Sequence, residues 1–321
     1  MRNVFYVLAL FTIWQSCATV KPIDYSVPTN ITVKEMEFKW PDGTATIHGK
    51  LLDPGNFEKL VIIAGPGGPN PVFIESRLID SLLANDIAVL TYDERGTGLS
   101  TGDFNASGYF DLAADLTLIA RTLRRSFGLG IVTGVIGIED GGWKAMIASN
   151  YDRRIEFLNL IGTSALNWEQ WVEEQIKKDP RSWRFRREKP EQTLEHYREI
   201  HRILSTRRKP EMQLAELDKY LDGIKVSGRR RKQITSPLFM DRIRFVTALY
   251  AGKNMPMTMA VVEEGETSEL AEWNTMASVR EQIEVRTISQ LYGNDEKESI
   301  SDAAIGEILS WLLSHEIREN D

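Results

Sequence analysis

Ile131-Val132-Thr133-Gly134-Val135-Ile136-Gly137-Ile138-Glu139-Asp140-Gly141-Gly142 runs from an apolar segment into a glycine-flanked turn, and helical spacing follows over 142–150. The run 131–136 is apolar on both faces, as a strand buried on both sides must be. Working toward the N-terminus, the runs 59–64 and 87–92 have the same character. The first ends in Gly65-Pro66-Gly67-Gly68-Pro69 and the second in Asp93-Glu94-Arg95-Gly96. Helical spacing separates these strands at 73–84 and 110–125, and another apolar run lies at 155–161. Repeated strand, helix, strand order predicts an α/β chain with a doubly wound, mostly parallel sheet. Before it, 33–40 and 44–52 flank Pro41-Asp42-Gly43, a turn cluster that predicts a hairpin.

Toward the C-terminus the composition changes at Asn167. From there to Gln233 the chain carries 18 Lys and Arg against 12 Asp and Glu, has no strand-like run, and is punctuated by Pro180, Pro190 and Pro210. Strand patterns return at 256–262 and 282–288, with helices at 269–277 and 302–315. The organisation expected is a signal segment 1–17, a tether 18–32, a core 33–166, an inserted helical cap 167–235, and the second part of the core 236–321.

The whole chain has 321 residues and a net charge of −7, with a pI near 5.4, which argues against nucleic acid as a partner. One Cys excludes an internal disulfide framework and a Cys-based zinc site. Four His leave little room for any metal site, and no cofactor is expected. Arg2 precedes an apolar run at 4–14 that is too short to span a bilayer but fits the core of a secretory signal. The lone Cys17 follows Ser16 where cleavage would fall, an arrangement that resembles a bacterial lipoprotein signal and implies acylation at Cys17, with acyl chains holding the domain to the outer side of the cytoplasmic membrane or to an outer membrane, facing the periplasm or the cell exterior.

Three motifs in order, Ala64-Gly65-Pro66-Gly67-Gly68-Pro69, Tyr92-Asp93-Glu94-Arg95-Gly96-Thr97-Gly98-Leu99-Ser100-Thr101-Gly102 and Gly137-Ile138-Glu139-Asp140-Gly141-Gly142, resemble the α/β-hydrolases, in particular the esterase and serine-aminopeptidase-like branch. The likeness runs from about residue 50 to 167 and, more weakly, from 236 to 313. It implies an α/β-hydrolase fold in which Glu139 occupies the nucleophile position of a Gly-x-Ser-x-Gly elbow. It also implies that Tyr292-Gly293-Asn294-Asp295 stands where the family carries its histidine, making Asp295 the matching residue. Glu264, in Val262-Glu263-Glu264-Gly265-Glu266, takes the acid position.

Glu139 is not a direct substitute for serine. A carboxylate nucleophile still needs a base to activate water against the ester intermediate, and the longer side chain displaces its oxygens from the geometry the oxyanion hole requires. Gly65, Gly67 and Gly68 supply backbone N–H groups at the mouth of the sheet, and a carboxylate at Glu139 would occupy them itself. Asp140 sits at a helix N-terminus, which favours the charged form of both carboxylates; it could donate a proton only if the pair raised one another. Asp93 and Arg95 read as loop braces. His48, His196, His201 and His315 read as a strand residue, two cap residues and a surface residue. The function expected is an exported, non-catalytic binding relative of the hydrolases, taking a small molecule or peptide under the cap. The alternative is an active hydrolase of esters or peptides with Glu139 as nucleophile or general base. The basic cap, where Arg181, Arg184, Arg186 and Arg187 are followed by Arg207, Arg208 and Lys209 and by Arg229, Arg230, Arg231 and Lys232, suggests an anionic lipid or glycan as a further partner.

Overall fold

A computed structural model describes residues 30–66, 76–185, 188–244, 255–293 and 300–315. Cys17, Gly67, Gly68 and Asp295 lie outside the described residues, as do the signal segment and nearly all of the tether.

Eight strands form one sheet: β1 (Thr32–Lys39), β2 (Thr46–Asp53), β3 (Lys59–Ala64), β4 (Ile87–Tyr92), β5 (Val132–Ile138), β6 (Phe157–Ile161), β7 (Met257–Glu263) and β8 (Ile283–Ile288). Their order is β1-β2-β4-β3-β5-β6-β7-β8. β2 pairs antiparallel with β1 and β4, and every later pair is parallel. The hairpin turn forms as its residues require: Gly43 sits at φ 73°, and Asp42 accepts from the Thr44 N–H and hydroxyl.

The apolar runs are explained by the layers. Along β3, Leu60, Ile62 and Ala64 face one apolar cluster while Val61 and Ile63 face the other, the two-residue alternation of a pleated strand. Helices α2 (Tyr109–Phe127) and α3 (Asp140–Tyr151) cover the first face with Leu116, Met146 and their neighbours. On the second face α1 (Ser76–Leu83) contributes Leu82, and the C-terminal helix, α11 (Asp302–Ser314), contributes Ile308 and Trp311. Between β7 and β8 lies α10 (Thr267–Ser278).

Among the described residues the cap has six helices: α4 (Trp168–Lys178), α5 (Pro180–Trp183), α6 (Pro190–Leu204), α7 (Pro210–Gly223), α8 (Gly228–Ile234) and α9 (Pro237–Arg244). Asn167 opens α4 by accepting from the Glu169 and Gln170 N–H groups while the Gln170 side chain accepts from the Asn167 N–H, a reciprocal cap. Pro180, Pro190 and Pro210 each stand at the first turn of a helix, where their fixed φ and missing donor cost nothing. The cap has an apolar centre of its own, with Val172, Tyr197, Leu217 and Ile234. Phe239 and Ile243 of α9 belong to that centre, so the cap is built from residues on both sides of position 235.

Much of the cap's positive charge serves the cap itself. Arg230 is buried over the rings of Trp183, Phe185 and Tyr197 and donates to the Trp183 carbonyl. Arg231 pairs with Asp218 and Asp222, and Arg208 with Glu216.

Candidate functional site

Glu139 follows β5 at φ 50° and ψ −118°, a conformation that costs a non-glycine residue about 1–3 kcal/mol. The turn is held from both sides. The Glu139 N–H donates to the Ile161 carbonyl, and the Glu139 carbonyl accepts from the Gly142 N–H and the Thr163 hydroxyl. A side chain on Gly141 would overlap the Ala64 carbonyl, and one on Gly142 would overlap the Thr163 hydroxyl. The turn from β5 into α3 is therefore strained and sterically fixed, and it presents a carboxylate.

That carboxylate projects into a cavity of about 430 Å³ between core and cap. Glu139, Asp140 and Trp143 line it from the elbow, Trp171, Gln175 and Lys178 from α4, Glu263 from the end of β7, and Leu291 and Tyr292 from the loop after β8. The Tyr292 hydroxyl donates to Glu139 Oε1 at 2.8 Å. Glu263 Oε2 accepts from the Leu291 N–H at 3.1 Å, and the Ser301 N–H donates to the Leu291 carbonyl. Thus an acid at the end of β7 fixes the loop after β8, and a residue of that loop reaches the elbow. The acid holds the loop through a backbone N–H, and the tyrosine hydroxyl is a separate contact from that loop to Glu139.

Burial raises the Asp140 carboxyl despite the Tyr109 hydroxyl bonded to it at 2.5 Å and the nearby Arg242 charge. Burial is the largest influence on it, ahead of the Tyr109 hydroxyl and the Arg242 and Lys144 charges that oppose it. Arg242, 2% exposed, has its guanidinium carbon 3.7 Å from the centre of the Trp143 ring and 4.5 Å from that of Trp171. Burial pushes it down to about 10. Glu269 accepts from the Ser164 hydroxyl and the Ala165 N–H, and burial raises its carboxyl. Behind the elbow, fully buried Lys144 donates to the Gly65 carbonyl at 2.7 Å and pairs with buried Glu94.

The sequence candidates are distributed unevenly. Glu139 and Asp140 are in the cavity. Glu264 is exposed and outside the cavity lining, whereas its neighbour Glu263 is in it. The Gly65 carbonyl is taken by Lys144, and Glu139 Oε1 accepts from the Tyr292 hydroxyl. Gly67, Gly68 and Asp295 lie outside the described residues. Asp93 and Arg95 are braces, each with its own partner: Asp93 accepts from the Leu99 N–H, and Arg95 pairs with Asp115. None of the four histidines is a lining residue. His48 faces Glu37, His196 meets the Tyr220 hydroxyl, His201 stacks on Trp168, and His315 packs on Trp311.

Sequence reasoning missed Tyr292, Glu263, Glu269 and the Lys144–Glu94 pair. Tyr292 stood in the quoted loop motif, but nothing in one sequence says that its hydroxyl meets the elbow carboxylate.

Strand order, the elbow between β5 and α3, and the cap inserted between β6 and β7 make this an α/β-hydrolase fold. Among solved structures, a thermostable carboxyl esterase from Bacillus coagulans superposes with a TM-score of 0.55 at 12% identity, over 88% of this chain and 98% of its own. An esterase from Pyrococcus furiosus gives 0.53 at 15% identity, over 81% and 82%. A proline iminopeptidase-related protein from Thermus thermophilus gives 0.52 at 16% identity, over 87% and 97%. No family model matches the chain, and no curated protein matches it. At these identities the likeness shows the fold.

Proposed function

We propose that this chain is a binding protein on a hydrolase fold, holding a small ligand in the cavity over the elbow without serine chemistry. One observation carries the reading: Glu139 occupies the strained elbow, faces the cavity and is hydrogen-bonded by Tyr292. A residue held at positive φ against its own preference is characteristic of a site in use, which supports a kept binding role over a decayed one. No imidazole lines the cavity to serve as base. A fluorophosphonate probe tests this: no serine becomes labelled, whereas stoichiometric labelling of any serine contradicts the proposal.

A second reading, hydrolysis of esters or peptides by Glu139, is favoured by the raised Asp140 carboxyl beside it. An acid that keeps its proton to higher pH could protonate a leaving group while Glu139 acts as nucleophile or base. It ranks below binding because the Asp140 carboxyl is already engaged by Tyr109.

We propose as well that the protein is exported and anchored through acylated Cys17, on the strength of the apolar run at 4–14 and the Ser16-Cys17 pair that follows it. Among the described residues no helix is long and apolar enough to cross a membrane.

A further inference from the structure

We infer that the ligand of this cavity is a small organic ammonium ion; the inference rests on the binding role just proposed and names its chemical class. Five carboxylates line the cavity: Glu139, Asp140, Glu263, Glu266 and Glu269. Among the described residues the one lining cation is Lys178, whose ammonium pairs with Glu266 at 2.9 Å, while the buried Arg242 charge acts on Asp140 and Glu269 and not on Glu139 or Glu263. Arg242 is clamped between the rings of Trp143 and Trp171, behind the wall, with its Nη2 3.5 Å from the Ser164 hydroxyl. Among the described residues the donors to Glu139 and Glu263 are neutral, the Tyr292 hydroxyl and the Leu291 N–H. Among the described residues no cation lies within ion-pair reach of either.

A cleft with walls of one sign concentrates ligands of the other. An ester or peptide carboxylate, or a phosphate, would meet repulsion from Glu139 at the very point where a hydrolase welcomes developing negative charge. The arrangement also separates an organic cation from a metal ion. Among the described residues no three ligating side chains converge; the carboxylates stand apart around the wall. A compact ion would reach one or two of them, while an ammonium on a short carbon frame points several N–H donors outward and lays its alkyl part on Trp171 and Tyr292. The volume lies within the range of about 300–1,000 Å³ usual for small-molecule sites.

The test is calorimetric titration of the protein with leucinamide and putrescine as ammonium probes, N-acetyl-leucinamide as the neutral counterpart and N-acetyl-leucine as the anion. The expected result is binding of an ammonium probe at least about tenfold tighter than either acetylated compound, with whichever amine binds better distinguishing a peptide-like from a polyamine source. Glu139→Gln and Glu263→Gln, which keep shape and remove charge, each weaken that binding by about tenfold, the size of one charge-assisted hydrogen bond. Glu281→Gln, on the exposed surface before β8, leaves it unchanged. Equal or tighter binding of N-acetyl-leucinamide or N-acetyl-leucine overturns the ammonium assignment and leaves the binding role standing. Binding by none of the four also overturns the assignment. Glu139-dependent cleavage of leucinamide overturns the binding role itself.

Discussion

Replacing Lys144 by Met removes a charge from the most enclosed ion pair of the core. Lys144 is 0% exposed and Glu94 5%, and one oxygen of Glu94 already lacks a partner. Cutting the lysine therefore strands a carboxylate in a low-dielectric interior and leaves the Gly65 carbonyl without its 2.7 Å donor. Breaking a buried pair from one side costs about 3–5 kcal/mol, a large share of the roughly 5–15 kcal/mol that holds a domain together. With a urea dependence of about 3 kcal/mol per molar, the unfolding midpoint of Lys144→Met falls by about 1–1.7 M. Glu94→Gln in the same chain removes the stranded charge and returns most of the loss, because the cost belongs to the unpaired ion more than to the missing contact. A double-mutant cycle read by tryptophan fluorescence measures this. A single-variant loss under about 1 kcal/mol, or losses that simply add in the double variant, would refute the claim that this pair fastens the Gly65 loop to the elbow helix.

Three further outcomes are expected. Because burial raises Asp140 and Glu269, the folded state keeps protons that the unfolded chain has lost, so stability rises as the pH falls from 7 toward the ordinary carboxylate range near about 4. Glu269→Gln flattens that rise in urea midpoints taken at pH 7 and 5, and an identical slope would show that burial of Glu269 is not its source. At lower pH, Asp152 works oppositely: burial would raise it, but the Arg154 N–H and the Arg121 and Arg154 guanidinium groups outweigh that and hold it low, and their contribution is lost on acidification. For the cap, sedimentation with anionic vesicles should depend on Arg207, Lys209, Arg229 and Lys232. Arg230 is committed to Trp183 and its neighbours, and Arg231 to two aspartates; equal pelleting with neutral vesicles would remove a lipid partner. Radiolabelled palmitate should enter the protein and be absent from Cys17→Ala, and a Cys17→Ala protein that stays membrane-bound speaks against acyl anchoring.

The sheet was legible because the residues that build it have few other options. Runs such as Lys59–Ala64 and Ile87–Tyr92 are apolar at nearly every position, and only a strand covered on both faces uses such a run economically. The elbow was legible for a steric reason, since glycines at 141 and 142 are needed where Ala64 and Thr163 press against them. The site's other half was not. Whether Glu263 or Glu264 enters the cavity depends on where β7 ends, a shift of one residue that reverses the side-chain direction, and the tandem glutamates give no preference. Tyr292 reaches Glu139 because Ile300 and Ser301 pin the loop after β8, a contact that pattern cannot foresee. The same holds for the cap arginines: a run of four basic residues reads as one surface, yet consecutive positions on a helix point about 100° apart, which sends Arg230 inward and Arg231 to the rim.

The most direct measurement is a screen of ester and aminopeptide substrates with the purified protein beside Glu139→Ala. The binding role requires turnover no faster than the buffer for both proteins, with the ammonium probes bound by the parent and weakened in the variant. Turnover by the parent that disappears in Glu139→Ala would contradict it and make the elbow carboxylate catalytic.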